Sequence, residues 1–371
     1  MSNLTRREPS PEDLARFGAE IDDLRARTVA DLGERDARYI RRIYAAVRWI
    51  EVLGRGVLMA CLFMPEAWIV PTVLAGGLIL GIAKILDNME LGHNVIHGQF
   101  DWMGDARFQG KTFEWDIVGT SDNWRKTHNF KHHTYTNVHG MDDDIGYDVL
   151  RLFPEQKWHP AALFQPLYAV IFALLFQWGV AVQDLRIGRV FIGRITWRKL
   201  AQEAAPTLRK SRRQLIKDYL VFPLLAGPAF WSVFLGNLMA NGIRNVWTYT
   251  VIFCGHFTAD VQTFPKGIVK NETRAQWYLR QIQGSSNLSG SKLLHIMTGN
   301  LSHQIEHHLF PDVPANRYAE MAPVVRDICR RHGVHYNTGS MVGQFSQVIW
   351  RIIRHSFPSS PAPMSPSLQA R

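Results

Sequence analysis

"YLVFPLLAGPAFWSVFLGNLMANGIRNVWTYTVIFCGHFTA", residues 219–259, carries a single formal charge, Arg244. A helix that crosses a bilayer needs about 20 consecutive apolar residues, so the stretch is long enough for two crossings. Asn241-Gly242 supplies a turn signal between them. The reading is a helical hairpin with arms 219–238 and 242–259. A second hairpin lies earlier, over residues 45–86, where "GVLMACLFMPEAWIVPTVLAGGLILGIA" is too short for two crossings unless it recruits the turn holding Glu51 and Arg55. Those two stand four apart with the acid first, the favourable helical pairing, and the reversal falls near Pro65-Glu66. A third apolar run, 161–182, contains no charge.

Charge fixes the topology. Residues 186–217 hold ten lysines and arginines against one acid, Glu203, and Arg38, Arg41, Arg42 and Arg48 precede the first apolar run. Positive-inside bias makes both segments cytoplasmic. If the histidines near 93–133 and 303–308 share one site, the crossings between them must be even in number, yet three apolar runs intervene. A crossing at 161–182 would put the basic block outside, so that run is expected to lie in or re-enter the interface. The expected fold is therefore an all-α integral membrane protein: four transmembrane helices in two hairpins, with both termini and all the histidine clusters cytoplasmic.

Eight of the fifteen histidines fall into three groups: "HNVIH" (His93, His97), "HNFKHH" (His128, His132, His133) and "HQIEHH" (His303, His307, His308). Each group contains a pair four apart, which on a helix puts two imidazoles on one face, about 6 Å apart along the axis. Neighbours such as His132 and His133 diverge by about 100° and suit two adjacent ions. Eight imidazoles exceed the three or four of a zinc site, and imidazole suits iron, so the count favours a two-iron centre. His256, at the returning end of the second hairpin, is a further candidate, with Asp260 placed to orient it. Glu90, Asp142 to Asp144 and Glu306 are candidates for similar supporting roles. His139, His159, His295, His332, His335 and His355 read as structural.

The remaining features are plainer. The 371 residues, 46% hydrophobic and formally +10, can bury a large core. Cys61, Cys254 and Cys329 are isolated in apolar surroundings and read as packing residues. Residues 1–42 are polar and contain no secretory leader pattern. Within them "SPEDLARFGAEIDDLRAR" opens as a capped, solvated amphipathic helix. The last residues are Pro/Ser-rich and are expected to be disordered. The organisation is an N-terminal cytoplasmic segment (1–42), a membrane and catalytic domain (43–335), and a C-terminal helix with a disordered tail (336–371).

In order and spacing the three groups resemble the histidine boxes of the membrane fatty-acid desaturases, HxxxH, Hxx(x)HH and (H/Q)xxHH. "ELGHNVIHGQFDWM", "NWRKTHNFKHHTYTN" and "GNLSHQIEHHLFPDVPANRY" are similar to bacterial acyl-CoA desaturases of the stearoyl-CoA and linoleoyl-CoA type, over about Ile43 to Arg331. The resemblance implies a cytoplasmic helical di-iron cap. Iron would be bound by His93, His97, His128, His132, His133, His256, His307 and His308. Gln304 stands at the first position of the third box as a direct, water-mediated or supporting catalytic participant, and His303 is a further metal candidate. The implied reaction is O2-dependent insertion of a cis double bond into an acyl-CoA chain at carbon 9. The alternatives are an acyl-lipid substrate, or an alkyl hydroxylase or ketolase using similar boxes. Removing hydrogen from an unactivated methylene needs dioxygen activated at metal, with two electrons from outside. The chain has no haem-binding "HPGG" segment, no Cys-rich cluster pattern and no G-x-G-x-x-G turn, so a separate ferredoxin- or flavin-type reductase is expected. The other partners are the lipid bilayer of the inner membrane and fatty acyl-CoA; nucleic acid is not expected.

Overall fold

The computed structural model describes residues 10–359. Helix α1 (Pro11–Ala30) starts as expected: the Ser10 hydroxyl accepts from the Asp13 backbone N–H at 3.1 Å. It is not solvated all round, because Phe17, Ile21 and Leu24 are buried with Ile305, Leu309 and Tyr318 in one apolar cluster. The N-terminal segment is thus part of the cap that holds the third box.

Helices α2 (Glu34–Ala60) and α3 (Glu66–Leu86) make the first hairpin, reversing at Met64-Pro65, and Glu51 pairs with Arg55 at 2.9 Å. Helix α3 continues through a π-helical stretch, Asp87–His93, to Ile96. The continuous Glu66–Ile96 is, among the described residues, the one helix long and apolar enough to cross a membrane by itself. Close packing explains its glycines. A Cβ on Gly76 would meet the Leu58 side chain of α2 at 2.8 Å, and one on Gly77 would meet Met239 on the opposite side at 2.9 Å. Gly54 is tighter still, since its Cβ would lie 2.7 Å from the Leu80 backbone nitrogen. Backbone cannot swing aside as a side-chain tip can. Gly54→Ala is therefore expected to pry α2 from α3 and to cost about 1–3 kcal/mol, read as a lower thermal-inactivation midpoint in detergent.

The second hairpin turns earlier than the sequence suggests. Helix α4, residues 121–135, carries the second box, and α5 (Gln165–Leu174) and α6 (Phe176–Asp184) follow. Helix α7 (Trp197–Ile216) then runs on through Lys217–Val221 and Phe222–Leu225 and reverses at Gly227-Pro228, where Gly227 has φ +50°. Helix α8 is uninterrupted from Phe230 to His256. Asn241-Gly242 lies inside it and is no turn. The Asn241 amide instead donates to Asp218 at 3.2 Å and to the Tyr219 hydroxyl at 3.0 Å. Arg244, 1% exposed, donates to the Asp116 backbone carbonyl. What reads as a polar break is a polar seam between helices. It holds the buried Asp218 between Lys84 at 2.9 Å and Arg55 at 3.4 Å. The basic block is likewise mostly helix, the first arm of this hairpin rather than a loop.

The uncharged run 161–182 is bent by 96° between its two helices, so it is not a straight crossing. The chain is mostly helical, but not wholly. Strands β1 (Asn287–Ser289) and β2 (Thr338–Ser340) pair in parallel, Leu288 opposite Gly339. The last helix, Met341–Ser356, packs Val348 and Ile352 in one cluster with Phe172 of α5 and Tyr249, Phe253 and Phe257 at the end of α8. Cys61, Cys254 and Cys329 are buried and unpaired, as packing residues. The expected disordered tail lies in residues 360–371, outside the described residues.

Candidate metal centre

Each box is delivered by a local device. The first closes the π-helical stretch of α3, and the second lies on a segment that is π-helical from Arg125 to His132; π-bulges recur at functional sites. The third box occupies a short helix, Gln304–Leu309, entered through Gly299 and Asn300, both at positive φ. A Cβ on Gly299 would lie 2.5 Å from the Met89 carbonyl oxygen, so glycine lets this loop rest directly on α3. Glu90 secures the same contact. It accepts from Tyr39 at 2.5 Å and from the Asn300 amide at 3.0 Å, and so serves as a clamp remote from the ligand atoms.

The imidazoles converge in two groups. Ligand atoms of His93, His97, His128 and His307 all lie within 4.8 Å of one another, and so do those of His132, His256 and His308. His133 stands between them, its ring stacked on His308 at 4.4 Å and edge-on to His307 at 4.7 Å. The fit to metal is tested by what these nitrogens otherwise lack. Nε2 of His93, His97, His128, His132, His133 and His307 is buried without a hydrogen-bond partner, an arrangement native proteins avoid unless something else satisfies the group. Burial, and then the facing imidazoles, hold His128, His133, His307 and His308 well below the ordinary histidine range. They are neutral at pH 7, as ligation requires.

In His93, His132, His256, His307 and His308 Nδ1 is anchored elsewhere, which turns Nε2 inward. His93 donates to the Asn94 side chain at 3.1 Å, His256 to the Gly284 carbonyl at 3.2 Å and His308 to Gln281 at 3.0 Å. His307 donates to Tyr318 Oη at 3.4 Å, and that hydroxyl in turn donates to the Phe310 carbonyl. His132 donates to both oxygens of Asp142, at 3.1 and 3.0 Å. Asp142 also accepts from the Asn137 and Asp144 backbone N–H groups at 2.8 and 2.9 Å. Burial raises the Asp142 carboxyl, but His132 and these N–H groups outweigh it and hold it below its usual range. Burial drives the neighbouring Asp144 up to about 8; it lies 3.4 Å from His128 Nδ1. Asp142→Asn removes half of the bidentate anchor and its charge. A 10–100-fold loss of iron affinity is expected, measured by chelator competition.

The other candidates separate. Gln304 enters the site: its Nε2 lies 2.9 Å from His256 Nε2, and its Oε1 is buried without a partner. His303 stays outside both groups, its ring 4.6 Å from His295, and burial followed by His295 and Arg326 lowers it to about 4. Glu306 turns away to accept from Asn287 and Tyr336, each at 2.8 Å, and burial raises it to about 7. Asp260 does not orient His256. It is 67% exposed and faces His335 at 3.7 Å, because the chain leaves the helix at Phe257. Gln281, Asn94, Tyr318 and Thr136, whose hydroxyl donates to Gln281 Oε1 at 2.7 Å beside His308, were not foreseen as anchors, since no spacing or composition signal links them to the boxes.

From the two groups a narrow channel, its exposed surface mostly apolar, is lined by Trp115, Ile117, Trp124, Tyr147, Phe176 and Ile252 and also by the polar Asn88, Gln177, Arg244, Asn245 and Thr248. Helices that gather buried imidazoles into two groups beside such a channel make a histidine-box site able to hold metal. Residues 67–340 match the family model described as fatty acid desaturase, and the chain belongs to that family. An "NADPH-dependent stearoyl-CoA 9-desaturase" of Mycobacterium tuberculosis is 46% identical over 350 residues, covering 92% of this chain and 79% of that protein. An "sn-1 linoleoyl-lipid 6-desaturase" of Synechocystis sp. is 27% identical over 286 residues, 74% and 77% of the two chains. An "Acyl-lipid (8-3)-desaturase" of Mortierella alpina is 25% identical over 243 residues, 60% and 53%.

Proposed function

We propose that the protein is an O2-dependent, di-iron fatty acyl-CoA desaturase that places a cis double bond at carbon 9. One observation carries the reading: two groups of converging buried imidazoles, most of them with Nε2 unpartnered, stand at a channel whose exposed surface is mostly apolar, as an acyl chain needs. The 46% identity to a stearoyl-CoA 9-desaturase supports CoA as the carrier and carbon 9 as the position. Bound iron supplies the reductive activation of dioxygen. The balance is one saturated bond, O2, two electrons and two protons, giving one double bond and two waters.

The chain's own residues hold the geometry. His93, His97, His128 and His307 would hold one ion and His132, His256 and His308 the other, with His133 between them. Gln304 would complete the three-histidine group through its amide oxygen, once the amide O and N are exchanged, a choice set by hydrogen bonding alone. His303 supports the box from outside. Electrons arrive from a separate ferredoxin- or flavin-type reductase. The protein sits in the inner membrane with the cap and termini cytoplasmic, an orientation supported by the basic helix α7.

The test is expression of the full chain in a bacterium that makes no monoenes by desaturation, with stearate supplied and double bonds located by mass spectrometry. New cis-9 monoenes and an iron-loaded protein are expected. Hydroxylated chains would move the reading to a hydroxylase, monoenes formed only on intact lipids would move it to an acyl-lipid desaturase, and active protein containing zinc but no iron would end it.

A further inference from the structure

Two tryptophans lead out of the histidine site. The Trp124 indole stacks on His128 with ring centroids 4.2 Å apart and planes 22° from parallel, and Trp115 meets Trp124 at 5.1 Å. Both are buried, 8% and 4% exposed. Trp115 also walls a second cavity, polar and of about 280 Å³, between α2, α3 and residues 114–116. That cavity meets solvent at Arg48 and Glu114, whose side chains are 45% and 47% exposed. One indole therefore stands between the channel and water.

Aromatic contacts at these separations are ordinary packing geometry, but their order here is not incidental. Indole is among the most readily oxidised side chains, and electron transfer falls steeply with distance, so two indoles in contact make a path of short hops from a metal ligand to solvent. Trp124 Nε1 is buried without a hydrogen-bond partner, and Trp115 Nε1 donates to the Gly119 carbonyl at 3.0 Å. Neither Nε1 hydrogen-bonds to a side-chain base. An indole oxidised there keeps the proton and passes the hole on instead of trapping it.

We propose that Trp124 and Trp115 form a relay that drains oxidising equivalents from the metal site when no acyl chain is present to be oxidised. The steps balance one electron at a time. The Trp124 indole gives an electron to the oxidised site, the Trp115 indole refills Trp124, and a low-molecular-weight thiol in the polar cavity refills Trp115, becoming a thiyl radical and releasing its proton to water. The relay rests on the iron reading above.

The test uses the full iron-loaded chain in lipid nanodiscs, cycled through reduction and O2 without acyl-CoA, then digested for peptide mass spectrometry. Hydroxyindole and kynurenine products are expected at Trp115 and Trp124 several-fold above the remaining tryptophans, and glutathione is expected to suppress them. Trp115→Phe should shorten the lifetime of the bound iron several-fold and shift oxidation onto Trp124 and the box histidines. Trp115→Tyr, whose phenol can be oxidised, should keep the unaltered lifetime. Phe and Tyr share their packing, so equal lifetimes for the two variants, or oxidation spread evenly over the tryptophans, would overturn the relay. A chain that holds no iron, or that desaturates no acyl-CoA in parallel assays, would overturn the desaturase reading itself.

Discussion

His256→Ala is expected to abolish desaturation and to leave the protein with one iron in place of the two proposed for the unaltered chain. The reason is the unequal size of the two groups. His132, His256 and His308 are three imidazoles, and removing one leaves two of them with only the neutral Gln304 amide to complete the set, whereas catalytic metal sites rest on three histidine, cysteine or carboxylate ligands. His93→Ala reduces the other group from four to three, so that variant should keep most of its second iron while losing activity. The activity loss for His256→Ala should exceed about a thousandfold, or roughly 4 kcal/mol in the barrier. His303→Ala should retain both irons, because its ring packs on His295 away from either group. Metal analysis beside fatty-acid profiling separates these outcomes. A His303 variant that loses iron as His256→Ala does would sink the proposed ligand set.

Arg317→Ala should be the most damaging change away from the metals. The guanidinium is 4% exposed and donates to Asp36 at 2.6 and 2.7 Å, to the Asp31 carboxylate at 2.8 Å and to the Asp31 carbonyl at 2.8 Å. It joins the start of α2 to the segment just after the third box. Removing it leaves the fully buried Asp36 without its charge partner, and breaking a buried pair in this way costs about 3–5 kcal/mol. The expected result is a much lower thermal-inactivation midpoint and faster proteolysis between α1 and α2. Arg317→Ala paired with Asp36→Asn should recover part of that loss, which a purely packing role for Arg317 would not allow.

The boxes were legible because metal ligation needs particular residue types at particular spacings, and His256 was legible because a hairpin had to return it. The turn was misplaced for a physical reason. Asn241, Gly242 and Arg244 have the composition of a surface loop, yet Asn241 and Arg244 face Asp218 and Asp116 across a helix packing seam. Composition cannot distinguish water from a buried carboxylate as the partner of a polar side chain. His303 shows the opposite limit. Its spacing to His307 equals that of His128 to His132, but the strained entry at Gly299 and Asn300 sets where the short helix begins. His303 precedes that helix, in a backbone conformation outside the helical region. The anchors Gln281, Tyr318 and Thr136 were silent because each acts through tertiary proximity alone.

The π-helical stretches give the site an unusual genetic vulnerability. Each is an α-helix carrying surplus residue length, at 87–93 beneath the first box and at 125–132 through the second. Deleting one residue there would let the backbone relax to ordinary α-helix, so the helix itself would survive. Because the bulge absorbs the surplus residue, the helix beyond would keep its face, while the imidazoles inside the stretches, His93 in one and His128 and His132 in the other, would be re-aimed away from the site. In-frame deletions scanned along the chain should therefore be lethal to function at these positions while leaving a folded protein, a pattern that substitutions alone would not reveal.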